Sequence, residues 1–188
     1  MSKYIKNLTC SRCGTIYEYR DKPSICLRND LGRLDVNYDY EALKNFYTRE
    51  YVNKKPLTNQ WKYFDLLPPE KSENIVTLDE GATPLIRARR LAEKLRIKSL
   101  WIKDETRNPT ASYKDRGMSV AVSVAKEFGY SKLVTASSGN AAVALSAYAA
   151  RTGMEVYAFV IEQASYSKIA QLLFYGARVV KGRGRGRV

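Results

Sequence analysis

The stretch KLVTASSGNAAVALSAYAARTGMEVYAFV, Lys132 to Val160, holds two short apolar runs on either side of an alanine-rich segment. The runs KLVTA (132–136) and VYAFV (156–160) are typical of β-strands. The segment between them, NAAVALSAYAARTG (140–153), is typical of a helix that ends at Gly153, because glycine readily adopts the left-handed conformation found after helices. A strand, a helix and a second strand in this order predict a βαβ unit with parallel strands.

The same alternation continues on both sides of this unit. Strand-like runs recur at SLWIK (99–103) and ARVVK (177–181), and helical segments recur at DRGMSVAVSVAKEFG (115–129) and SYSKIAQLLFYG (165–176). These two helical segments also close with a glycine, Gly129 and Gly176. The sequence therefore predicts an α/β domain built on a parallel sheet with helices.

The loop TASSGN (135–140) joins the first strand of the unit to its helix. In open α/β sheets, ligands bind at the carboxyl ends of the strands, where such loops lead into helix N-termini. Its hydroxyls, its glycine and the first N–H groups of the helix could hold a carboxylate or a phosphate. A plain turn in which Ser and Asn cap the helix would have the same sequence, so the loop alone leaves both interpretations open.

Lys114 lies in NPTASYKDRGM (108–118), where a polar loop gives way to a helix. A cation at a helix N-terminus is disfavoured by the helix dipole, although many such lysines are simply solvated. The cost disappears if the amine forms an imine or stays neutral in a dry pocket, where it can act in covalent and proton-transfer chemistry. Pyridoxal 5′-phosphate is the cofactor that requires such a lysine.

The N-terminal segment forms a separate unit with three cysteines: Cys10 and Cys13 in a Cys-x-x-Cys-Gly turn, and Cys26. Alternating residues at 15–19 and 34–38 predict short strands around them. A complete zinc ribbon would have a second cysteine pair, but position 29 is Asn29. We keep two interpretations: a zinc ribbon with a degraded site at Cys10, Cys13 and Cys26, or a metal-free β-hairpin module.

The amino-acid composition excludes some classes of catalytic mechanism and indicates possible binding partners. The 188 residues include 32 Lys and Arg against 19 Asp and Glu, for a net charge of +13, and no histidine. Mechanisms that need histidine, such as a Ser-His-Asp triad, are therefore excluded. The charge suits a phosphorylated small molecule, nucleic acid or an anionic membrane surface. No apolar run approaches the roughly 20 residues of a membrane helix, and we expect a cytoplasmic protein with no membrane partner.

Several of these motifs together resemble one enzyme family. NPTASYKDRGM, preceded by LDEGATPL (78–85) and followed by TASSGN, is similar to the fold-type II pyridoxal-phosphate enzymes of the tryptophan synthase β-like family. Within it the chain resembles threonine synthases most, also through the Cys-x-x-Cys-Gly unit followed by LDVNYDYEAL (34–43). The resemblance runs from about residue 8 to residue 181.

The resemblance implies roles for individual residues. Lys114 would be the Schiff-base lysine, and Asn140 would hydrogen-bond the ring hydroxyl of pyridoxal phosphate. The substrate carboxylate would be held by Ser137, Ser138 and Gly139, with Thr83 lining the substrate side. The implied reaction converts O-phospho-L-homoserine and water to L-threonine and phosphate, with Lys114 shuttling protons. The intact parent would be a homodimer, as many relatives are.

The family pattern continues beyond ARVVK with a glycine-rich phosphate loop, whereas this chain ends in GRGRGRV. We therefore expect an N-terminal fragment that is weakly folded, binds the cofactor poorly and turns over little. We divide the chain into a zinc-ribbon-like unit (1–40), a helical and aromatic packing arm (41–80), the N-terminal part of the catalytic domain (81–181) and a Gly/Arg tail (182–188). The stretch YEALKNFYTREYV (40–52), at the start of the arm, is typical of a helix.

Alternative functions remain. A threonine dehydratase, a cysteine synthase or a cysteate synthase would share the fold and the lysine. A fragment without activity is a further alternative. The charge of +13 and the Cys-x-x-Cys turn also suit a basic ribbon protein that binds nucleic acid, but that function leaves NPTASYKDRGM and TASSGN unexplained. We therefore expect no nucleic-acid partner.

Overall fold

A computed structural model describes residues 4–28 and 30–182. Its internal contacts group the chain into two units. One contains the residues up to Pro56 together with Trp61–Asn74, and the other contains Leu57–Gln60 and the residues from Ile75 onward. Asn29, and the predicted tail beyond Gly182, lie outside the described residues.

The first unit contains a three-stranded antiparallel sheet. Its strands are β1 (Ile5–Cys10), β2 (Ile16–Tyr17) and β3 (Leu34–Tyr38), in the order β2-β1-β3. Leu8 in the central strand lies opposite Tyr17 on one side and Val36 on the other. The strands predicted within 15–19 and 34–38 are confirmed.

Two short helices follow where one was expected over 40–52. They are α1 (Tyr40–Phe46) and α2 (Arg49–Lys54). Thr48 separates them, because its backbone is extended and its side chain accepts a hydrogen bond from the N–H of Tyr51, which starts a new helix. The aromatic segment after them, Gln60–Leu66, forms 3₁₀ turns on both sides of a kink at Tyr63, whose backbone is not helical.

The second unit begins with a small antiparallel pair. Strand β4 (Leu85–Arg87) and strand β5 (Trp101–Lys103) pair with each other, with helix α3 (Arg89–Lys94) between them. The strand predicted at SLWIK is therefore present, but it belongs to this pair and not to the parallel sheet.

The rest of the second unit alternates helix and strand: α4 (Lys114–Glu127), β6 (Lys132–Thr135), α5 (Asn140–Ala150), β7 (Glu155–Ile161), α6 (Tyr166–Phe174) and β8 (Arg178–Gly182). The three strands are parallel in the order β6-β7-β8. The predicted βαβ arrangement is confirmed. Each helix is followed by a glycine at positive φ, namely Gly129, Gly153 and Gly176.

The core of this unit lies between the sheet and its helices. Val122 of α4, Val143 and Tyr148 of α5, and Leu172 of α6 are fully buried in one cluster. Every residue from 142 to 149 is buried, because the small alanine side chains of α5 let its neighbours approach on all sides. The Ala-rich helix is thus central to the packing of the unit that carries the candidate site.

Candidate active site

Lys114 is the first residue of α4, at the junction of loop and helix that the sequence predicts. The backbone N–H of Lys114 donates a hydrogen bond to the hydroxyl of Ser112 at 3.2 Å. Ala111 has φ of 58°, in the left-handed region, which turns the loop sharply before the helix. The Lys114 side chain is half-buried, and its Nζ lies 4.8 Å from the centre of the Tyr113 ring.

Asp115 ties the end of this loop to its beginning. Its carboxylate is fully buried and accepts hydrogen bonds from the backbone N–H of Thr110 at 3.0 Å and from its hydroxyl at 2.8 Å. The N–H of Asp115 in turn donates to the carbonyl oxygen of Ser112. Burial raises the pKa of Asp115, and the hydrogen bonds from Thr110 oppose that rise. These hydrogen bonds join Asp115 to Thr110 and Ser112, and so they hold the backbone before and after Lys114.

A second polar network adjoins the same helix end and is centred on Glu105. The guanidinium of Arg116 donates to both carboxylate oxygens of Glu105, at 2.7 and 2.8 Å. The hydroxyl of Thr83 and the side-chain amide of Asn108 also donate to this carboxylate, at 2.6 and 2.9 Å. The hydrogen bond from Arg116 is the main reason why the pKa of Glu105 falls to about 2.

Thr83 is held within this network. Its side chain is buried, its hydroxyl donates to Glu105, and its carbonyl oxygen accepts from the Lys103 ammonium. The amide oxygen of Asn108 accepts from the N–H of Gly81, so the loop that carries Thr83 is joined to the loop before Lys114. Its role at the substrate side remains a prediction.

The loop between β6 and α5 carries the other predicted residues. Ser137, Ser138 and Gly139 are half-buried, and Asn140, the first residue of α5, is exposed. The Ser137 hydroxyl accepts from the N–H of Gly139 at 3.3 Å. In the part of the chain that the structure describes, no side chain caps α5, whose N-cap position is Gly139. The cap by Ser or Asn, considered above as the alternative to an anion site, is therefore not formed.

Lys114 and Asn140 are the first residues of α4 and α5. The C-terminal ends of α4 and α5 line one concave surface of about 660 Å³, which includes Lys126, Gly129 and Arg151. The helices also pack against each other. Because their C-terminal ends line the same surface, the two helices run in a broadly similar direction, and their N-terminal ends point toward the opposite edge of the unit. That opposite edge is where β6 ends, the position at which α/β sheets bind ligands.

Comparison with known proteins identifies the family of the chain. A family model described as "Pyridoxal-phosphate dependent enzyme" matches residues 76–186. The chain belongs to this family. It is 39% identical over 176 residues to the threonine synthase of Methanocaldococcus jannaschii, covering 93% of this chain and 43% of that protein. It is 41% identical over 183 residues to the threonine synthase of Methanosarcina acetivorans, covering 95% of this chain and 43% of that protein.

The chain thus spans less than half the length of these pyridoxal-phosphate dependent relatives. Among solved structures, maize serine racemase superposes with a TM-score of 0.50 at 25% identity, over 55% of this chain and 31% of that one. These matches confirm the pyridoxal-phosphate fold type II that the motifs predict.

Sequence patterns missed the residues that hold Lys114 in place. Ser112 and Asp115 do carry a signal, because Ser-x-x-Asp before a helix resembles a capping box, although the Asp115 carboxylate reaches Thr110 instead of Ser112. The partners of Glu105 carry no comparable signal, since Thr83 and Arg116 lie far from it along the chain.

The three predicted metal-binding cysteines lie together in the first unit. Cys10, Cys13 and Cys26 are grouped with Asp30, and their ligand atoms all lie within 4.8 Å of one another. The carboxylate of Asp30 thus lies where the sequence pattern offered no fourth cysteine, and metal binding by this unit remains a prediction. This fourth group is a carboxylate, next in the chain to Asn29, and not a cysteine or a histidine.

Among residues 4–28 and 30–182, the longest and most apolar helices fall short of what a bilayer crossing requires. A cytoplasmic location and a homodimeric parent remain predictions.

Proposed function

We propose that this chain carries the cofactor lysine and part of the substrate site of an enzyme that converts O-phospho-L-homoserine and water to L-threonine and phosphate. The observation that supports the proposal is that Lys114 begins α4 and that the uncapped N-terminus of α5, which packs beside α4, follows the carboxyl end of β6. Similarity to two threonine synthases directs the choice of substrate within the family.

The residues at this edge fit pyridoxal phosphate. The amine of Lys114 is half-buried beside an aromatic ring, and the side chain of Asn140 is exposed at the start of its helix. A Cβ added to Gly139 would have no heavy atom within 4 Å, so there is open space beside the loop. When bound, the cofactor supplies an electron-withdrawing ring that stabilises negative charge on the carbon next to the substrate's amino group.

Each of the chain's own site residues would then have a separate role in binding or proton transfer. Lys114 would hold the cofactor through Nζ and, once substrate takes its place, move protons at the substrate carbons. The Asn140 amide would donate a hydrogen bond to the ring hydroxyl. The hydroxyls of Ser137 and Ser138, together with the N–H groups at the N-terminus of α5, would hold the substrate carboxylate.

The networks beside Lys114 explain how its position would be kept. Asp115 fixes the loop before it, and the ion pair of Arg116 with Glu105 fixes the residue two positions after it. Thr83, proposed to line the substrate side, is fixed by the same carboxylate. A cofactor lysine needs this type of support, because small errors in the placement of a reacting group are costly in rate.

The attachment is tested by incubating the 188-residue protein with pyridoxal phosphate, reducing it with borohydride and mapping the modified peptide by mass spectrometry. Lys114 is expected to be labelled first, and Lys114→Ala to lose that label. Lys126→Ala, a change at an exposed lysine near the other end of the same helix, is the matched control and should keep the label. Equal labelling of several lysines, or labelling elsewhere that is unchanged in Lys114→Ala, would contradict the role of Lys114.

The substrate class is tested separately with the same readout. O-phospho-L-homoserine should reduce the labelling of Lys114 at lower concentrations than L-homoserine, because only the former adds a phosphate that suits a basic site. Equal protection by the two compounds would count against phosphohomoserine and leave the assignment of Lys114 intact. Release of phosphate together with L-threonine is the readout of turnover.

A further inference from the structure

The first unit contains a cluster of three thiols and one carboxylate that the proposed function does not use. Cys10 and Cys26 are buried, Cys13 is exposed and Asp30 is half-buried. We propose that Cys10, Cys13, Cys26 and Asp30 bind one Zn²⁺ ion, with Asp30 as the fourth ligand.

The distances within the cluster match a tetrahedron of zinc ligands. With Zn–S near 2.3 Å and Zn–O near 2.0 Å, two sulfurs on one zinc lie about 3.8 Å apart, and a sulfur and an oxygen lie about 3.5 Å apart. The sulfurs of Cys13 and Cys26 are 3.6 Å apart. The Cys10 sulfur is 3.2 and 3.6 Å from the two carboxylate oxygens of Asp30. A disulfide would require sulfurs about 2.0 Å apart, so these thiols are separate ligands.

Surrounding groups hold Cys10 and Asp30 in this arrangement. The N–H of Arg12 donates to the Cys10 sulfur at 3.4 Å, and the N–H of Gly14, at φ of 69°, donates to the Cys10 carbonyl oxygen. The N–H of Gly32 donates to Oδ1 of Asp30 at 2.8 Å, which leaves Oδ2 to face the thiols. Outer hydrogen bonds that orient the ligands in this way are typical of metal sites.

The other two thiols have hydroxyl partners. The Tyr17 hydroxyl lies 3.2 Å from the Cys26 sulfur and accepts a hydrogen bond from the N–H of Leu27, so its own proton can be directed at the sulfur. The Thr15 hydroxyl lies 3.1 Å from the Cys13 sulfur. These two hydroxyls help to hold the Cys13 and Cys26 sulfurs in position, as outer hydrogen bonds do at metal sites.

The composition of the cluster selects the metal. Three sulfur ligands favour zinc over the hard cations Mg²⁺ and Ca²⁺, which prefer oxygen. Three thiolates and one carboxylate around Zn²⁺ carry a net charge of −2, and the guanidinium of Arg12, which donates to the backbone oxygen of Asp30 at 2.7 Å, lies close enough to offset part of it. Four protein ligands also complete a tetrahedron, which is typical of a structural site and not of a catalytic one.

Close packing at Gly32 adds a constraint. A Cβ built at this position would collide with the Cys10 sulfur, and its next neighbour would be Oδ1 of Asp30 at 2.9 Å. Any side chain at residue 32 would therefore push two of the four ligands apart. We expect Gly32→Ala to weaken metal binding even though residue 32 donates no ligand atom.

Cobalt(II) titration of the reduced 188-residue chain tests the site. The protein should carry no histidine tag, because the chain has no histidine of its own and a tag would supply competing ligands. One Co²⁺ per chain is expected, with near-ultraviolet thiolate-to-cobalt bands and the intense visible bands of tetrahedral cobalt, and Zn²⁺ should displace it. Weak visible bands of octahedral cobalt, or no binding, would overturn the proposal.

Asp30 is tested by replacement. Asp30→Asn should weaken cobalt binding at least tenfold, whereas Asp35→Asn, which removes an exposed carboxylate from the same unit, should bind as the wild type does. Asp30→Cys should give a four-thiolate spectrum, and this variant tests the geometry even if Asp30→Asn fails to fold. Unchanged affinity in folded Asp30→Asn, or no added thiolate band in Asp30→Cys, would exclude Asp30 as a ligand.

Discussion

Replacing Glu105 by glutamine removes the charge at the centre of the network that joins Thr83, Asn108 and Arg116. The pKa of Glu105 falls from 4.5 to about 2, and at about 1.4 kcal/mol per pKa unit this corresponds to about 3 kcal/mol of stabilisation at neutral pH. The Glu105 and Arg116 side chains are 25% and 32% exposed, so solvent screening reduces the expected loss in Glu105→Gln to about 2 kcal/mol.

The pH dependence has a definite sign. Because the pKa of Glu105 is lower in the folded state, its stabilisation is complete above pH 4.5 and is lost as the pH falls toward 2. Urea unfolding followed by circular dichroism should therefore show a gap between wild type and Glu105→Gln at pH 7 that shrinks by about half near pH 3. The change Glu93→Gln, at an exposed position on α3, is the control.

Two results would refute this reasoning. A loss at pH 7 within about 0.5 kcal/mol, the range of ordinary surface substitutions, would mean that the ion pair of Glu105 contributes little. A gap between wild type and Glu105→Gln that stays constant from pH 7 to pH 3 would mean that the loss comes from packing and not from charge.

Three further predictions concern the second unit. Tyr148→Phe removes a hydroxyl that donates to the buried carboxylate of Glu80 at 2.9 Å, and urea unfolding should show a loss of about 1–3 kcal/mol. Gly117→Ala, at an open position within α4, should raise the free energy of unfolding by about 0.5–1 kcal/mol. Gly153→Ala, at φ of 74°, should lower the free energy of unfolding by about 1 kcal/mol. A change of the same sign in both variants would contradict the helix geometry. Phe159 is 47% exposed on β7, so Phe159→Ser should leave the free energy of unfolding within about 1 kcal/mol of the wild type, and a larger loss would show that this side chain is covered.

The fold of the second unit could be predicted because its signals are local. The strands β6 and β7 are compact apolar runs, and Gly153 follows α5 at positive φ as a helix-ending glycine should. The helix expected over 40–52 was only partly right, because Thr48 starts a second helix with its own cap. That signal is also local, since threonine is a preferred N-cap residue, but the continuous pattern of apolar residues obscured it.

The parts that sequence did not predict depend on contacts between distant residues. The strand at SLWIK was predicted, but its partner β4 was not, because the sequence of a short strand does not specify which other strand it pairs with. Asp30 was missed for a related reason: it completes a group with Cys10 and Cys13 only after the antiparallel sheet brings the two loops together. Spacing rules for zinc ligands consider cysteine and histidine first, so an aspartate in that place carries little signal.

The contrast between the backbone and the amine of Lys114 bears on the proposed chemistry. The backbone is fixed on one side by buried Asp115 and on the other by the ion pair of Arg116. The amine instead lies 4.8 Å from the exposed Tyr113 ring, and a cation–π contact at an exposed site contributes only about 0.5–1 kcal/mol. A lysine that must release its bond to the cofactor and then move protons needs a fixed Cα and a movable Nζ. The fixed Cα sets the position of the reaction, and the movable Nζ lets the substrate replace the lysine. The networks around Lys114 fix its Cα and leave its Nζ free to move. This is the physical reason to propose the reaction at this residue.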